Sequence, residues 1–112
     1  MGKDKLRKFK ENETFSCLIQ PATAEVLGVD YPLKGHWGEK MFGNDNPIVV
    51  ELGCGKGEYT VDLALRNPSC NYIGVDIKGA RLWKGAKYAQ EHNLSNVAFL
   101  RTRIEFIESL FA

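Results

Sequence analysis

Residues 50–58 read Val-Glu-Leu-Gly-Cys-Gly-Lys-Gly-Glu, and this stretch decides the fold. It continues the short apolar run of residues 48–52 and ends at Glu58, where a segment with helical spacing begins. A glycine-rich turn between a strand and a helix lets the backbone approach a ligand closely, because glycine carries no Cβ. The stretch therefore predicts a buried parallel strand, then a ligand-binding loop, then a helix.

Strands and helices alternate after this loop. The further predicted elements are two strands and three helices, over residues 58–67, 71–76, 81–92, 97–101 and 102–110. The last helix is predicted from the capping-box spacing of Thr102 and Glu105. Such alternation with short links predicts an α/β fold with three parallel strands, which is one half of a doubly wound sheet. Its first strand would keep one edge unpaired, so we expect self-association there or a longer protein.

Residues 1–46 mix charged and apolar residues without a sustained period, and prolines and glycines interrupt them. We predict an irregular N-terminal extension over 1–46 and a ligand-binding half-domain over 47–112. Trp37 and Phe42 are expected to pack the extension onto the sheet.

The composition is that of a small globular domain: 112 residues, 44% hydrophobic, with a net charge of +1. Its apolar runs are far shorter than the roughly 20 residues that cross a bilayer, which excludes a membrane span. The basic N-terminus continues into polar residues, so no secretion signal is predicted. Cys17, Cys54 and Cys70 lack metal-ligand spacing, which argues against a disulfide framework or a metal site and favours the cytoplasm.

The glycine spacing discriminates between nucleotide ligands. In a dinucleotide-binding loop the third glycine lies beside a pyrophosphate, but here that position is Glu58, whose carboxylate would repel phosphate. The pattern is instead E-x-G-x-G-x-G, formed by Glu51, Gly53, Gly55 and Gly57. Asp76, at the end of the second strand, can accept hydrogen bonds from both hydroxyls of a ribose. These features favour S-adenosylmethionine over NAD or ATP; the alternative is a tight turn and an aspartate that caps the next helix.

The chain resembles the bacterial tRNA (guanine-N7)-methyltransferases over essentially its whole length. The matching stretches include residues 30–34 (Asp-Tyr-Pro-Leu-Lys), residues 42–47 (Phe-Gly-Asn-Asp-Asn-Pro) and the glycine loop. The most specific is Gly-Val-Asp-Ile-Lys-Gly-Ala-Arg at residues 74–81. The resemblance implies a class I, Rossmann-like fold, S-adenosylmethionine as cofactor, and methyl transfer to N7 of guanine in the variable loop of tRNA.

The resemblance also implies roles for individual residues. Glu51 and Asp76 fall on acidic positions that contact the cofactor. Arg103 stands where the family usually has Asp or Asn beside the adenine ring; since a guanidinium cannot accept a hydrogen bond, any contact there would come from the backbone. The catalytic aspartate of the family lies beyond Ala112, so we expect no catalytic residue in this chain.

A tRNA substrate requires basic surface, and two clusters are candidates. The first is the basic tail from Lys3 to Lys10, which we predict to be a disordered arm that orders on RNA. Its cations are Lys3, Lys5, Arg7, Lys8 and Lys10. The second consists of Lys78, Arg81, Lys84 and Lys87, with the aromatic residues Trp83 and Tyr88 between them as stacking surfaces. The alternative for the second cluster is a solvated helix face with Trp83 packed on the turn-rich connector of residues 30–47. Two other functions stay open: a cofactor- or RNA-binding fragment without turnover, and a methyltransferase for another substrate.

Overall fold

The structure is a computed structural model that describes residues 3–111. None of the helices in that range is long and apolar enough to cross a membrane. The elements in chain order are α1 (Lys3–Asn12), β1 (Leu18–Ile19), α2 (Thr23–Val26), a π-helical turn (Trp37–Phe42), β2 (Ile48–Leu52), α3 (Glu58–Arg66), β3 (Asn71–Asp76), α4 (Gly79–Glu91), β4 (Val97–Arg101), a 3₁₀ turn (Ile104–Phe106) and α5 (Ile107–Leu110).

The four strands form one parallel sheet in the order β1-β4-β3-β2. In its register Leu52 lies opposite Val75, and Asp76 lies opposite Arg101. The predicted α/β class is therefore confirmed, and β2, β3 and β4 have the predicted bounds. Because parallel strands end at the same edge of a sheet, the loops after β2, β3 and β4 meet there.

The core lies on both faces of the two central strands. Phe99 of β4 packs with Leu82 and Ala86 of α4 on one face. On the other face, Trp37 packs with Ile73 of β3, among other buried residues. The Trp37 indole donates a 2.7 Å hydrogen bond to the Leu110 carbonyl, and Phe42 packs against the same cluster. The expected packing of Trp37 and Phe42 against the sheet is confirmed.

The prediction of an irregular extension with a disordered basic arm was wrong for two segments. Residues 3–12 form α1, and Asn12 of this helix donates a 2.9 Å hydrogen bond to the Gly79 carbonyl at the start of α4. Leu18 and Ile19 form β1, which pairs with Phe99 and Leu100 of β4. Both elements depend on distant partners, and local periodicity does not reveal such partners. The domain boundary between residues 46 and 47 stays a prediction.

The prediction that β2 is a buried strand was also wrong. Ile48, Val49 and Leu52 are 38%, 42% and 51% exposed. Within residues 3–111, β2 pairs only with β3 and forms the edge of the sheet. The predicted unpaired edge of this strand is therefore present in the described residues, but the predicted burial of its side chains is not.

The predicted capping box at Thr102 is absent. The Thr102 hydroxyl is 3.3 Å from the Arg103 carbonyl, and the Glu105 carboxylate accepts a hydrogen bond from Arg103 Nε at 3.1 Å. The last helical segment therefore begins with a 3₁₀ turn that has no side-chain cap. In a capping box, Glu105 would accept a hydrogen bond from the backbone amide of Thr102. The charged side chain of Arg103 competes with that amide for the Glu105 carboxylate.

Candidate functional site: a glycine loop between two carboxylates

The glycine loop follows β2 and is fastened to the neighbouring strand. The backbone amides of Gly53 and Cys54 both donate to the Val75 carbonyl, at 2.7 and 3.0 Å. Gly53 and Gly55 have φ angles of +73° and +60°, in the left-handed region that favours glycine. Nothing lies within 4 Å of the place where a Cβ would stand at either residue. The loop therefore presents bare backbone to open space, as a cradle for a ligand requires.

Gly57 has a different role. Its φ is +77°, and a Cβ there would lie 2.6 Å from Cε1 of Phe99 and 3.4 Å from the Cα of Gly85. Gly57 is also the residue before α3. Its missing side chain lets the loop and α3 pack closely against β4 and α4.

The Asp76 carboxylate is held at both oxygens. Oδ2 accepts a 2.9 Å hydrogen bond from the Gly55 amide, and Oδ1 accepts one of 2.9 Å from the Lys78 amide. The contact with Lys78 is the turn at the start of α4 that is expected if Asp76 only caps that helix. The contact with Gly55 belongs to no helix cap and fixes the carboxylate against the loop. Since each carboxylate oxygen has a second lone pair, Asp76 can still accept from two neighbouring hydroxyls.

A cavity of about 600 Å³ lies beside Asp76. Its lining residues come from the ends of three strands: Gly53, Val75, Asp76, Ile77, Thr102, Arg103, Ile104 and Glu105. Its volume is typical of small-molecule sites, and it combines an apolar wall with a carboxylate. The structure thus brings predicted residues Gly53, Asp76 and Arg103 together, whereas Glu51, Gly55 and Gly57 lie outside this lining.

Glu51 lies on β2 directly before the loop, and its Oε2 accepts a 3.0 Å hydrogen bond from the Thr60 hydroxyl of α3. Sequence reasoning missed Thr60. Burial, and to a smaller extent the charges of Asp76 and Glu51, raises the pKa of the Cys54 thiol to about 12. The thiol therefore stays protonated near neutral pH, between two anionic side chains.

The start of α3 carries a carboxylate that is paired with a lysine. Glu58 is exposed and forms a 2.8 Å ion pair with Lys84 of α4, and this hydrogen bond lowers the pKa of the Glu58 carboxyl. A carboxylate at a helix N-terminus occupies the place where a diphosphate would bind. Because Lys84 compensates the charge of Glu58, the suitability of the loop for a neutral or cationic ligand rests on Glu51 and Asp76.

The predicted basic residues fall into two groups. Lys5, Lys78 and Arg81 line a cavity of about 540 Å³ between α1 and the start of α4, together with Lys8 and Arg101. By contrast, Arg7 lies 3.9 Å from Asp4 and 3.7 Å from Glu11, and Lys84 is paired with Glu58. The Lys3 side chain lies outside the described part. Lys8, which lies one helical turn after Lys5, belongs to the predicted basic tail, whereas sequence reasoning missed Arg101.

Trp83 does not form an open stacking surface. Its ring lies 5.4 Å from the Arg7 guanidinium, 4.8 Å from the Lys8 ammonium and 5.4 Å from that of Lys87. Two of these three cations belong to α1, so Trp83 packs on α1 and not on the connector of residues 30–47 that the alternative interpretation expected.

No group of three or more His, Cys, Asp or Glu side chains in residues 3–111 could hold a metal ion. His36 is exposed and lies 2.6 Å from a Glu39 oxygen, and His92 contacts the Tyr88 carbonyl.

The parallel sheet, the open glycine loop and the strand-end aspartate define an α/β protein with a candidate ligand site at the ends of its strands. Residues 45–112 match the family model "Putative methyltransferase", and the chain belongs to this family. The predicted methyltransferase fold is thereby confirmed.

Three relatives carry one name, tRNA (guanine-N(7)-)-methyltransferase. The protein from Christiangramia forsetii is 62% identical over 111 residues, which are 99% of this chain and 50% of the relative. The one from Bacteroides thetaiotaomicron is 49% identical over 112 residues, 100% of this chain and 44% of the relative. The one from Porphyromonas gingivalis is 58% identical over 102 residues, 89% of this chain and 42% of the relative. The chain spans about half the length of these curated relatives, and the resemblance found in the sequence is confirmed.

Proposed function

We propose that the protein transfers a methyl group from S-adenosylmethionine to N7 of guanine in tRNA, and that this chain forms the cofactor-binding half. The observation that carries the proposal is the Asp76 carboxylate fixed by the Gly55 amide beside an open glycine loop. The choice of tRNA as the substrate rests on the names of the similar proteins.

The residues present fit this cofactor. It has a ribose for Asp76 and cationic groups for the anionic loop, and it lacks the phosphates that Glu58 would repel. The apolar side chains of Val75, Ile77 and Ile104 offer a wall for the adenine ring. Arg103 lines the same cavity, and its side chain is paired with Glu105, which leaves its backbone groups for the adenine. When bound, the cofactor supplies a methyl group on a positively charged sulfur.

Guanine N7 has a lone pair on the major-groove edge of the base, so its methylation needs no strong general base. The protein's task is then to align the two reactants. In ideal intramolecular cases such alignment lowers the activation free energy by roughly 7–11 kcal/mol. The residues proposed here hold and orient the cofactor, and we assign none of them a catalytic role.

For the tRNA contact, we propose the cations around the cavity between α1 and α4. In the described structure Lys5, Lys78 and Arg81 form no ion pair, so each keeps its full charge for a phosphate. Lys3, Arg7 and Lys84 stay weaker candidates. The exposed edge of β2 is a candidate surface for self-association, and a cytoplasmic location stays a prediction.

Calorimetry of this chain with S-adenosylmethionine and S-adenosylhomocysteine tests the cofactor site. We expect one bound ligand per chain, and the absence of binding would contradict the proposal that this chain contains the site. Transfer of a tritiated methyl group to bulk tRNA, but not to protein, tests the substrate in the longer protein.

A further inference from the structure

Thr60 is a buried hydroxyl that contacts a carboxylate of the candidate site. It is 1% exposed, and it belongs to the first turn of α3. Its Oγ1 lies 3.0 Å from Oε2 of Glu51, which precedes the glycine loop. The contact therefore links the strand before the loop to the helix after it.

The direction of this hydrogen bond follows from the chemistry. An ionised carboxylate only accepts, so the Thr60 hydroxyl donates. Among residues 3–111, no other side chain forms a hydrogen bond or an ion pair with the Glu51 carboxylate. Hydrogen bonds to charged groups are stronger than neutral ones, so this contact sets where the Glu51 oxygens lie. One oxygen is occupied by Thr60, and Oε1 is left for a ligand.

The position of Glu51 relative to Asp76 indicates which part of a ligand it meets. The two carboxylates come from adjacent strands, and the glycine loop lies between them; both act on the Cys54 thiol of that loop. If Asp76 binds the ribose and the adenine occupies the cavity beyond Asp76, the other end of the cofactor extends toward Glu51. That end is an amino acid with a cationic ammonium group.

We propose that Thr60 is a positioning residue: its hydroxyl orients the Glu51 carboxylate so that Oε1 accepts a hydrogen bond from the ammonium group of the cofactor's amino-acid portion. This inference rests on the proposed function, because it takes the ligand to be S-adenosylmethionine or its product.

Two ligands separate this role from a purely structural one. S-adenosylhomocysteine carries the amino-acid portion, whereas 5′-methylthioadenosine has the same adenosine and sulfur without it. Thr60→Val keeps the shape of the side chain and removes the donor, and Thr60→Ser keeps the donor. By calorimetry, we expect Thr60→Val to bind S-adenosylhomocysteine about tenfold more weakly and 5′-methylthioadenosine as the wild type does. Thr60→Ser should keep the wild-type affinity for both ligands.

The outcomes are distinguishable. Unchanged binding of S-adenosylhomocysteine by Thr60→Val, or an equal loss for both ligands, would overturn the positioning role and leave the cofactor site intact. A wild-type chain that binds neither ligand contradicts the proposed function itself, and the inference falls with it. If Thr60→Val loses its cooperative unfolding transition in urea, Thr60→Cys replaces it as a similarly sized, weaker donor, with the same expected difference between the ligands.

Discussion

The backbone amide of Gly55 donates a 2.9 Å hydrogen bond to Oδ2 of Asp76. Gly55 belongs to the loop after β2, and Asp76 is the last residue of β3. Their contact holds the carboxylate against the loop in a structure that contains no ligand. Such preorganisation reduces the conformational entropy that binding must overcome.

Replacing Asp76 tests this unit. Asp76→Ala removes two charge-assisted acceptors for the ribose, so we expect calorimetry to show S-adenosylhomocysteine binding weakened by roughly a hundredfold or more. Asp62→Ala is the matched control, because Asp62 pairs with Arg66 on the surface of α3 and does not line the cavity beside Asp76. Equal affinities for Asp76→Ala and the control would contradict the proposed site.

Gly57 and Gly35 offer a matched pair for the close packing at the loop. Both have a φ of +77°, but a Cβ would meet Phe99 at Gly57 and open space at Gly35. We expect Gly35→Ala to lower the free energy of unfolding by about 1–2 kcal/mol through left-handed strain alone. Gly57→Ala should lower it by about 1–3 kcal/mol more because of overpacking. Urea unfolding measures both, and equal losses would show that Phe99 moves aside without cost.

The reactivity of Cys54 should report the charge of Asp76. With its pKa raised to about 12, the thiol has little thiolate at pH 8, so alkylation by iodoacetamide is slow and accelerates as the pH rises. Asp76 raises this pKa, so Asp76→Asn should lower it and speed the alkylation of Cys54 at constant pH.

Cys17 is the internal control for that experiment. Burial raises its pKa to about 11, with no contribution from Asp76. Peptide-level mass spectrometry should therefore show faster alkylation at Cys54 alone. Acceleration at both cysteines would indicate a loosened fold, and acceleration at neither would show that Asp76 leaves the thiol unaffected.

Lys78 and Arg81 should contribute to RNA binding through charge alone. We expect the double variant Lys78→Ala, Arg81→Ala to weaken tRNA binding. It should also reduce the slope of log K against log salt concentration by about 1 for each phosphate contact that is lost. Filter binding across a salt series measures both quantities. Arg66→Ala, which removes an ion-paired cation on α3, is the control. If the double variant keeps the wild-type salt slope, the cavity between α1 and α4 is not the RNA contact.

The strands β2, β3 and β4 and the glycine loop were predictable because their signals are local. A short apolar run marks a strand, and glycines at consecutive turn positions mark backbone with positive φ. The same reasoning placed Asp76 at a strand end, where ligands of parallel sheets bind. It failed for α1 because the contact between Asn12 and Gly79 joins residues far apart in the chain.

By itself, then, the sequence determined the class of the fold, the loop and the acidic residues beside it, since each depends on the conformational preferences of neighbouring residues. Only the tertiary structure decided that the apolar side chains of β2 are exposed, that Thr60 holds Glu51, and that Trp83 is covered by α1. It also decided which cations share a cavity and which are neutralised by partners. These features depend on contacts between residues distant in the chain, and the spacing of residues along the chain does not encode such contacts locally.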